Sequence, residues 1–332
     1  MRRHAPSTLV ALGLLAVVLS ACAGPVPSEA TSADAMAPRT TPSAAASSGP
    51  GPAIATPPPV NEPGPSVEPT IAGAAPPVAP VSHGPFWPVV DASSPGSDLV
   101  LHVPILMYHR IVDPVAARCG RPDLCVKPSL FAAQLHALSA AGWRTITVAT
   151  LASDLARGIR PPTRTFAITL DDGHRDGLTN ALPILERYHF VATYFVVTGR
   201  LRDSGYLHPA DLATLTDAGM EIGDHSVSHR NLQHFDIAGV VAQVDVAAAT
   251  IRSIVGQRPT SFAYPFGDTN RTVLAGVAVS GVAVALMNRD IGVEDWADRF
   301  ALPRIEIKGR TGAATVLRTV AAYARRGSFG GA

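Results

Sequence analysis

Three features are scarce in this chain of 332 residues, and each scarcity excludes a class of protein. The formal net charge is only +1, which argues against the basic patch or stripe of a nucleic-acid-binding protein. With 3 cysteines, a structural zinc site cannot be built from cysteine alone, because it needs four ligands. The apolar run near the N-terminus, from about Leu9 to Leu19, falls short of the roughly 20 residues that span a bilayer.

The N-terminus has the features of a secretory signal. Arg2 and Arg3 precede the apolar run, and small residues follow it, as in exported bacterial proteins. The segment Leu19-Ser20-Ala21-Cys22 resembles the lipobox, whose cysteine is lipidated and becomes the first residue of the mature protein. We therefore predict a signal peptide over 1–22, lipidation at Cys22, and an extracytoplasmic protein anchored to the bacterial cell membrane. Secretion without an anchor is the alternative.

Residues 23–98 are rich in proline, alanine, serine and threonine, and they hold more than half of the chain's 30 prolines. Few of them are charged, and no apolar periodicity is visible. Such a segment cannot bury enough surface to offset its ordering entropy, and its prolines keep it extended. We predict a disordered linker that tethers a catalytic domain over 99–328.

Cys119 and Cys125 are six residues apart in one short loop. In an oxidising compartment such a pair is expected to form a disulfide. Two free thiols are the alternative.

From about Leu99 onward, short apolar runs alternate with helical patterns. Ser129 is predicted to cap a helix that ends at Gly142. The predicted strands are 103–108, 144–148, 165–170, 192–197, 261–264, 282–287 and 305–308, and the other predicted helices are 178–188, 209–218, 236–255 and 311–325. Repeated strand–helix units favour a parallel sheet with right-handed crossovers, and about 225 residues suit one barrel domain. We predict an α/β fold of the irregular (β/α) barrel type, with a doubly wound open sheet as the alternative.

An acidic pair follows the predicted strand 165–170. Neighbours on a strand point to opposite faces, so Asp171 and Asp172 can enter one site only if the strand ends there, and Gly173 permits that break. An ordinary turn is the alternative. His225 and His229 are four residues apart, a spacing that places two side chains on one side of a helical turn. Two imidazoles and one carboxylate can hold a divalent metal with a position open for water, and the second carboxylate is then a base.

These motifs resemble those of the polysaccharide deacetylases, the NodB-homology enzymes of carbohydrate esterase family 4. The resemblance covers roughly residues 100–325. It rests on three motifs: Thr169-Leu170-Asp171-Asp172-Gly173, His225-Ser226-Val227-Ser228-His229 and Tyr264-Pro265-Phe266-Gly267-Asp268. The segments 104–109 and 302–305 look like the branch that contains poly-β-1,6-N-acetylglucosamine deacetylases.

The resemblance implies roles for individual residues. Asp172, His225 and His229 match the metal ligands, which usually hold zinc, and Asp171 matches the catalytic base. The backbone N–H of Phe266 occupies the place of the oxyanion donor.

The chain departs from the family pattern at two positions, those of the arginine that orients the base and of the general acid. Ala263 stands where an arginine usually orients the base, and Arg304 is the candidate to steady the base or the substrate, with a surface salt bridge as its alternative. Relatives often supply a general acid from a late histidine, but the last one here is His234. His109 and His174 are the candidates for that acid, unless Asp171 returns its own proton.

The pair Asp295-Trp296 resembles a pair that lines the substrate groove in some relatives.

Taken together, the sequence predicts a divalent-metal-dependent hydrolase that removes N-acetyl groups from an aminosugar polymer at the cell surface. Peptidoglycan, poly-N-acetylglucosamine and chitin-like polymers all fit. An O-acetyl esterase and a non-catalytic wall-binding lipoprotein are the alternatives.

Overall fold

The computed structural model describes residues 87–115, 117, 119–288 and 294–326. The predicted signal peptide, Cys22 and residues 23–86 of the predicted linker lie outside the described residues.

A parallel sheet forms the centre of the domain. Its strands run in the order β10-β1-β5-β6-β7-β8-β9, β4 pairs beside β5, and β2 and β3 form a separate pair. The strands are β1 (Ile105–Tyr108), β2 (Arg110–Ile111), β3 (Cys125–Val126), β4 (Arg144–Ile146), β5 (Thr165–Leu170), β6 (Thr193–Val196), β7 (Glu221–Asp224), β8 (Ser261–Ala263), β9 (Val284–Leu286) and β10 (Ile305–Glu306). All six residues of β5 are buried, as expected for a parallel strand covered on both faces.

The sheet curls so that its two ends approach each other. Leu302 forms a parallel bridge with Leu286 of β9, and three residues later Ile305 pairs with Leu106 of β1. One segment of chain therefore joins both edges of the sheet, with a break at Pro303 and Arg304. This arrangement confirms the predicted irregular (β/α) barrel, and the open-sheet alternative is wrong.

Helices connect the strands and cover the outside of the barrel. They are α1 (Pro128–Ala140), α2 (Val148–Arg157), α3 (Leu182–Arg187), α4 (Pro209–Asp217), α5 (Ile237–Val255), α6 (Arg271–Val279) and α7 (Ala313–Arg325). Helix α5 begins where Asp236 accepts a hydrogen bond from the N–H of Gly239 and ends at Gly256, whose φ is 82°. By length and composition α5 is apolar enough to cross a membrane, but here one face of it packs against α4, α6 and β7.

Two helices were not anticipated, and one cap was assigned to the wrong residue. The predicted strand 144–148 ends at Ile146, because the hydroxyl of Thr147 accepts a hydrogen bond from the N–H of Thr150 and starts α2. Helix α6, which follows the third motif, also begins at a side-chain cap, that of Asn270. Ser129 lies inside α1, which begins at Pro128 without a side-chain cap.

Part of the predicted linker packs on the barrel. Trp87 is buried, and its carbonyl accepts a hydrogen bond from Nε2 of Gln257 at 2.8 Å. Ser97 donates a hydrogen bond to the carbonyl of Leu155. The packed part of the chain thus includes residues 87–98.

Candidate functional site

The residues of the three motifs gather at one end of the barrel. Asp171 follows β5, His225 follows β7, and Phe266 follows β8. Because the strands are parallel, their carboxyl ends lie at the same end of the barrel, where the active sites of such barrels are built. His109 follows β1 and belongs to the same end.

The acidic pair enters the site because the chain turns at Asp172. Strand β5 ends at Leu170, and the N–H of Asp171 donates a hydrogen bond to the carbonyl of Tyr108. Asp172 then adopts a φ of 72° and Gly173 a φ of 71°. A left-handed conformation is costly for an aspartate. It turns the second carboxylate away from the barrel interior and towards the histidines.

Asp172, His225 and His229 bring three ligand atoms within 4.8 Å of one another. Oδ1 of Asp172 lies 3.4 Å from Nε2 of His225 and 3.2 Å from Nε2 of His229. Two ligand atoms bound to one tetrahedral zinc ion at about 2.1 Å would lie about 3.4 Å apart. The spacing therefore fits a common divalent ion.

The hydrogen bonding and the pKa of Asp172 support the same conclusion. Oδ1 of Asp172 is buried and has no hydrogen-bond partner among the described residues, so its contacts with the imidazoles do not satisfy it. Burial raises the pKa of Asp172, but His174, His225 and His229 together hold that pKa far below its usual value. A deprotonated carboxylate with a free lone pair, facing two imidazole nitrogens, is suited to a cation.

The tautomer of His225 is set by a backbone contact. Its Nδ1 lies 2.7 Å from the carbonyl oxygen of Ala263, so Nδ1 carries the proton and Nε2 is left to face Asp172. Such an outer contact orients a metal-binding histidine. Ala263 therefore contributes through its backbone at the position where an arginine was expected.

The two histidines do not lie on a helix, so the reason given for their spacing was wrong. The segment from His225 to His229 is a loop, with positive φ angles at Ser226 and His229. The N–H of His229 donates to Oγ of Ser226, and Ser228 donates to the side-chain carbonyl of Gln243 on α5. The loop brings the two rings together, with centroids 4.8 Å apart.

Asp171 forms a bidentate ion pair with Arg304. Nη1 and Nη2 of the guanidinium each lie 2.7 Å from one carboxylate oxygen, and both side chains are buried. Burial raises the pKa of Asp171, but the charge and hydrogen bonds of Arg304 together with the charges of His225 and His109 outweigh it, and the pKa lies below its ordinary value. Asp171 is therefore a carboxylate, the form a base requires.

Arg304 is itself held from two sides. Its Nη1 donates to Oγ1 of Thr169 at 3.2 Å, and its Nε donates to the carbonyl of Met287 at 3.1 Å. Thr169 and Asp171 are two residues apart, so they point to the same face of β5. The arginine thus runs along that face inside the barrel. A surface salt bridge, the alternative considered for Arg304, is wrong.

His109 lies beside the ion pair. Burial lowers its pKa, and Arg304 and His225 lower it further against the opposing effect of Asp171 and Asp172. The imidazole is therefore neutral at pH 7, although a general acid must carry a proton. In the free protein His109 lies at the same end of the barrel as the other site residues, but it does not have the protonation state of a general acid.

Phe266 lies in a strained turn next to the three candidate metal ligands Asp172, His225 and His229, here called the metal trio. Its φ is 63°, and its exposed ring packs on the ring of His229 with centroids 4.7 Å apart. Gly267 has a φ of 72°, and a Cβ there would collide with Asn288. The turn therefore requires glycine, and it places the Phe266 ring against His229.

A stack of side chains reaches Asp172 from its outer side. Nε2 of His174 lies 3.6 Å from Oδ2 of Asp172, too long for a hydrogen bond. The His174 ring stacks on Tyr206 at 4.7 Å, and Arg200 covers the Tyr206 ring at 4.9 Å. The sequence reasoning missed this stack, because Tyr206 lies outside every motif and no spacing connects it to His174.

The pair Asp295-Trp296 does not line the site, so that expectation was wrong. Trp296 is buried, and its indole N–H donates to the carbonyl of Ser94 at 3.0 Å. Asp295 accepts a hydrogen bond from the N–H of Asp298 in a local turn. The pair resembled the one in relatives only in its two neighbouring residues. The position of Trp296 is instead decided by its packing against the segment from Trp87 to Ser97.

Cys119 and Cys125 are paired in a disulfide. Cys125 is in β3, whose partner β2 follows His109. The disulfide therefore restrains the loop next to the site.

Comparison with known proteins finds a family match over part of the chain. Residues 158–285 match the family described as polysaccharide deacetylase. Over these residues the chain is similar to polysaccharide deacetylases. Peptidoglycan-N-acetylmuramic acid deacetylase PdaC of Bacillus subtilis is 32% identical to it over 142 residues, 42% of this chain and 28% of that protein. Poly-beta-1,6-N-acetyl-D-glucosamine N-deacetylase of Staphylococcus epidermidis is 23% identical over 158 residues, 43% of this chain and 55% of that protein.

The fold of the deacetylase domain is shared with a solved structure. Streptococcus pyogenes deacetylase PplD, solved in complex with acetate, superposes with a TM-score of 0.61 at 24% identity, covering 68% of this chain and 99% of that one. The chain spans 28% of PdaC and 55% of the Staphylococcus epidermidis protein. At 24% identity, the likeness to PplD concerns the fold alone.

Proposed function

We propose that this protein is a metal-dependent hydrolase that removes N-acetyl groups from a β-linked aminosugar polymer. The observation that carries the proposal is the pair of adjacent carboxylates with separate environments. Asp172 faces His225 and His229 with an unsatisfied oxygen, while Asp171 is held as a carboxylate by Arg304. One carboxylate is thus free to bind a cation and the other to accept a proton.

The donor set fits a divalent metal, zinc being the usual ion for two imidazoles and one carboxylate. Asp172, His225 and His229 would hold it. When bound, such a metal lowers the pKa of its water towards about 7 and polarises the acetyl carbonyl.

The proton transfers are assigned to residues of this chain. Asp171 accepts a proton from the attacking water as the new carbon–oxygen bond forms, and Arg304 keeps its carboxylate oriented. The N–H of Phe266 donates to the oxygen that gains negative charge as the carbonyl becomes tetrahedral. When the carbon–nitrogen bond breaks, the amine nitrogen takes up a proton and acetate leaves. That proton comes from His109, or from Asp171 returning the one it took.

An O-acetyl esterase is the second candidate, and one observation favours it. The pKa of His109 is lowered by burial, so the imidazole is a weak source of protons before the reaction. An alkoxide leaves more easily than an amine and needs no strong acid.

A non-catalytic wall-binding protein is the third candidate. The ion pair of Arg304 with Asp171 weighs against it, because metal binding alone does not require an oriented second carboxylate.

The substrate class is proposed from the relatives by name. PdaC is named for peptidoglycan N-acetylmuramic acid and the Staphylococcus epidermidis protein for poly-β-1,6-N-acetylglucosamine. We propose an acetylated aminosugar polymer of this general kind for this chain.

Acetate release across a panel of N-acetylated and O-acetylated glycans, with metal analysis of the same sample, tests the function. We expect release from at least one N-acetylated polymer, loss of release after chelation, and recovery on adding zinc. Asp171→Asn should abolish turnover while leaving bound metal unchanged, whereas Asp172→Asn should lose both. A protein that binds metal and releases no acetate from any glycan would contradict the enzyme proposal.

We also propose that the protein is exported and held at the cell membrane by lipid on Cys22. The support is the segment Leu19–Cys22, which has the form of a lipobox. Cys22→Ala should move the protein from the membrane fraction to the soluble fraction. If the distribution does not change, lipidation is not what holds it there.

A further inference from the structure

A second cleft lies at the end of the barrel opposite the catalytic site. It has a volume of about 650 Å³, a size typical of ligand-binding clefts. Its walls come from the segment entering β1, the loops entering β4 and β5, and the C-terminal half of α7. In a parallel barrel these features belong to the amino ends of the strands, whereas the metal trio and Asp171 lie at the carboxyl ends.

Apolar side chains make up most of the floor of this cleft, and His102, Thr163 and Thr165 are its uncharged polar members. Leu101, Val103 and Trp143 line it from the barrel side, and Leu317, Ala321 and Ala324 line it from α7. No acidic residue lines it within the described parts of the chain. An apolar floor of this kind suits a hydrocarbon chain.

Three arginines surround the apolar floor. Arg160 and Arg164 come from the loop between α2 and β5, and Arg325 comes from the end of α7. All three are exposed, and none forms an ion pair with a carboxylate of the described residues. Among the described residues, the side chains of Arg160 and Arg164 donate hydrogen bonds to backbone carbonyls, those of Val100 and Ala141. Three cations without acidic partners at the edge of an apolar cleft complement an anionic headgroup.

The surface beside the cleft also carries exposed apolar side chains. Ile159 is 42% exposed and precedes Arg160, and Val100 is 41% exposed. Apolar tips next to arginines are the pattern of surfaces that lie in a membrane interface, where the apolar side chains enter the acyl region and the cations meet the headgroups.

The chain itself enters the domain from this end. Trp87, the first described residue, is bound by Gln257, and Pro88 accepts a hydrogen bond from Thr260. Both partners lie in the loop that enters β8, at the amino end of that strand. This end of the barrel therefore carries the start of the described chain, the cleft and the unpaired arginines.

We propose that this end of the domain binds the surface of an anionic phospholipid membrane, with the arginines on lipid phosphates and the cleft accepting part of an acyl chain. The catalytic end then faces away from the membrane. The proposal depends neither on the deacetylase activity nor on lipidation of Cys22.

Co-sedimentation with vesicles tests it. All proteins carry the full chain with Cys22→Ala, so any binding by the N-terminal segment is common to all of them. We expect binding to vesicles of phosphatidylcholine mixed equally with phosphatidylglycerol, and much weaker binding to phosphatidylcholine alone. Each arginine near such a surface changes affinity about fivefold, so Arg160→Gln combined with Arg325→Gln should weaken binding about 25-fold. The matched control, Arg271→Gln with Arg310→Gln, removes the same charge at the catalytic end and should have little effect.

Two further variants distinguish lipid insertion from simple attraction of anions. Ile159→Ser removes an exposed apolar tip, and Ala324→Trp fills the cleft; both should weaken vesicle binding severalfold. The melting temperature establishes that each variant is folded. The proposal is overturned if the control pair weakens binding as much as the cleft pair, or if no vesicle binds. It is also overturned if both apolar variants bind normally while soluble inositol hexakisphosphate competes fully, since the arginines would then bind free anions only.

Discussion

Arg304 contacts both carboxylate oxygens of Asp171 at 2.7 Å from a position 133 residues later in the chain. The family pattern expects an arginine in the third motif, where this chain has Ala263. The guanidinium therefore reaches the base from a different strand segment, the one that closes the barrel. The same side chain links Asp171 to Thr169 and to the carbonyl of Met287, so barrel closure and orientation of the base depend on each other.

Replacing Arg304 should impair both activity and stability. Arg304→Met leaves a buried carboxylate without its partner, which costs about 3–5 kcal/mol of unfolding free energy. We expect kcat to fall by about 10²-fold or more, because general base catalysis contributes about that much. Arg304→Lys keeps the charge but not the bidentate geometry and should be intermediate in both respects.

Chemical denaturation and steady-state kinetics measure these effects. Arg258→Lys is the matched control, because Arg258 also pairs with a carboxylate, that of Asp245 at 2.6 Å, but lies away from the site. If Arg304→Met kept the wild-type kcat, Arg304 would have no part in positioning the base.

The stack of His174 on Tyr206 should strengthen metal binding. His174→Phe keeps a ring on Tyr206 but removes the nitrogen that faces Oδ2 of Asp172, and Tyr206→Leu removes the ring that supports His174. Outer groups of this kind change metal affinity about 10–100-fold, and we expect about tenfold weaker zinc binding in each variant. Competition with a chelating dye measures this without reference to turnover.

A matched control for this experiment exists elsewhere in the domain. His136 packs on Tyr188 with ring centroids 6.1 Å apart, away from the metal trio. His136→Phe should leave zinc affinity unchanged. Equal zinc affinity in wild type, His174→Phe and Tyr206→Leu would show that the stack only supports the fold.

His109 should matter for amides and not for activated esters. If it protonates the leaving amine, His109→Gln should slow N-acetyl hydrolysis about 10²–10⁴-fold. Hydrolysis of 4-nitrophenyl acetate should change little, because its leaving group needs no proton. The exposed His234 provides the control variant, His234→Gln. A similar loss on both substrates would instead point to a role in building the site.

Glu294 should make the protein less stable as the pH rises. Burial raises its pKa from an ordinary 4.5 to about 8, against the hydrogen bonds from Tyr323 and Val103 that lower it. The folded state therefore keeps a proton that the unfolded state releases. The stabilisation is complete below about pH 4.5 and is lost progressively up to about pH 8.

Glu294→Gln should reduce this loss of unfolding free energy between about pH 5 and about pH 8, as measured by urea denaturation across that range. Asp224, whose pKa burial also raises to about 8, contributes to the same slope, so the slope should become smaller and not disappear. Glu306→Gln, on a partly exposed glutamate, is the control. An unchanged slope in Glu294→Gln would contradict the assignment.

Local patterns predicted the elements whose boundaries depend on nearby residues. The strand 165–170 coincides with β5, and the helix that Asp236 caps and Gly256 ends coincides with α5. Helix α2 was missed because an apolar run at a helix start cannot be distinguished by periodicity from the end of a strand. The hydroxyl of Thr147 caps that helix, and a single threonine is too weak a signal to locate a helix start.

By itself, the sequence determined which residues meet at the site, since the residue types of Asp171, Asp172, His225 and His229 predicted a base and three metal ligands, and the structure brings these four residues together. Only the tertiary structure decided that Arg304 pairs with Asp171 inside the barrel and does not form a surface salt bridge, that Trp296 packs in the core, and that His174 stacks on Tyr206. The physical reason is how far apart along the chain the contacting residues lie. Caps, turns and motifs depend on neighbours along the chain, whereas these contacts join residues far apart in the chain that only barrel closure and core packing bring together.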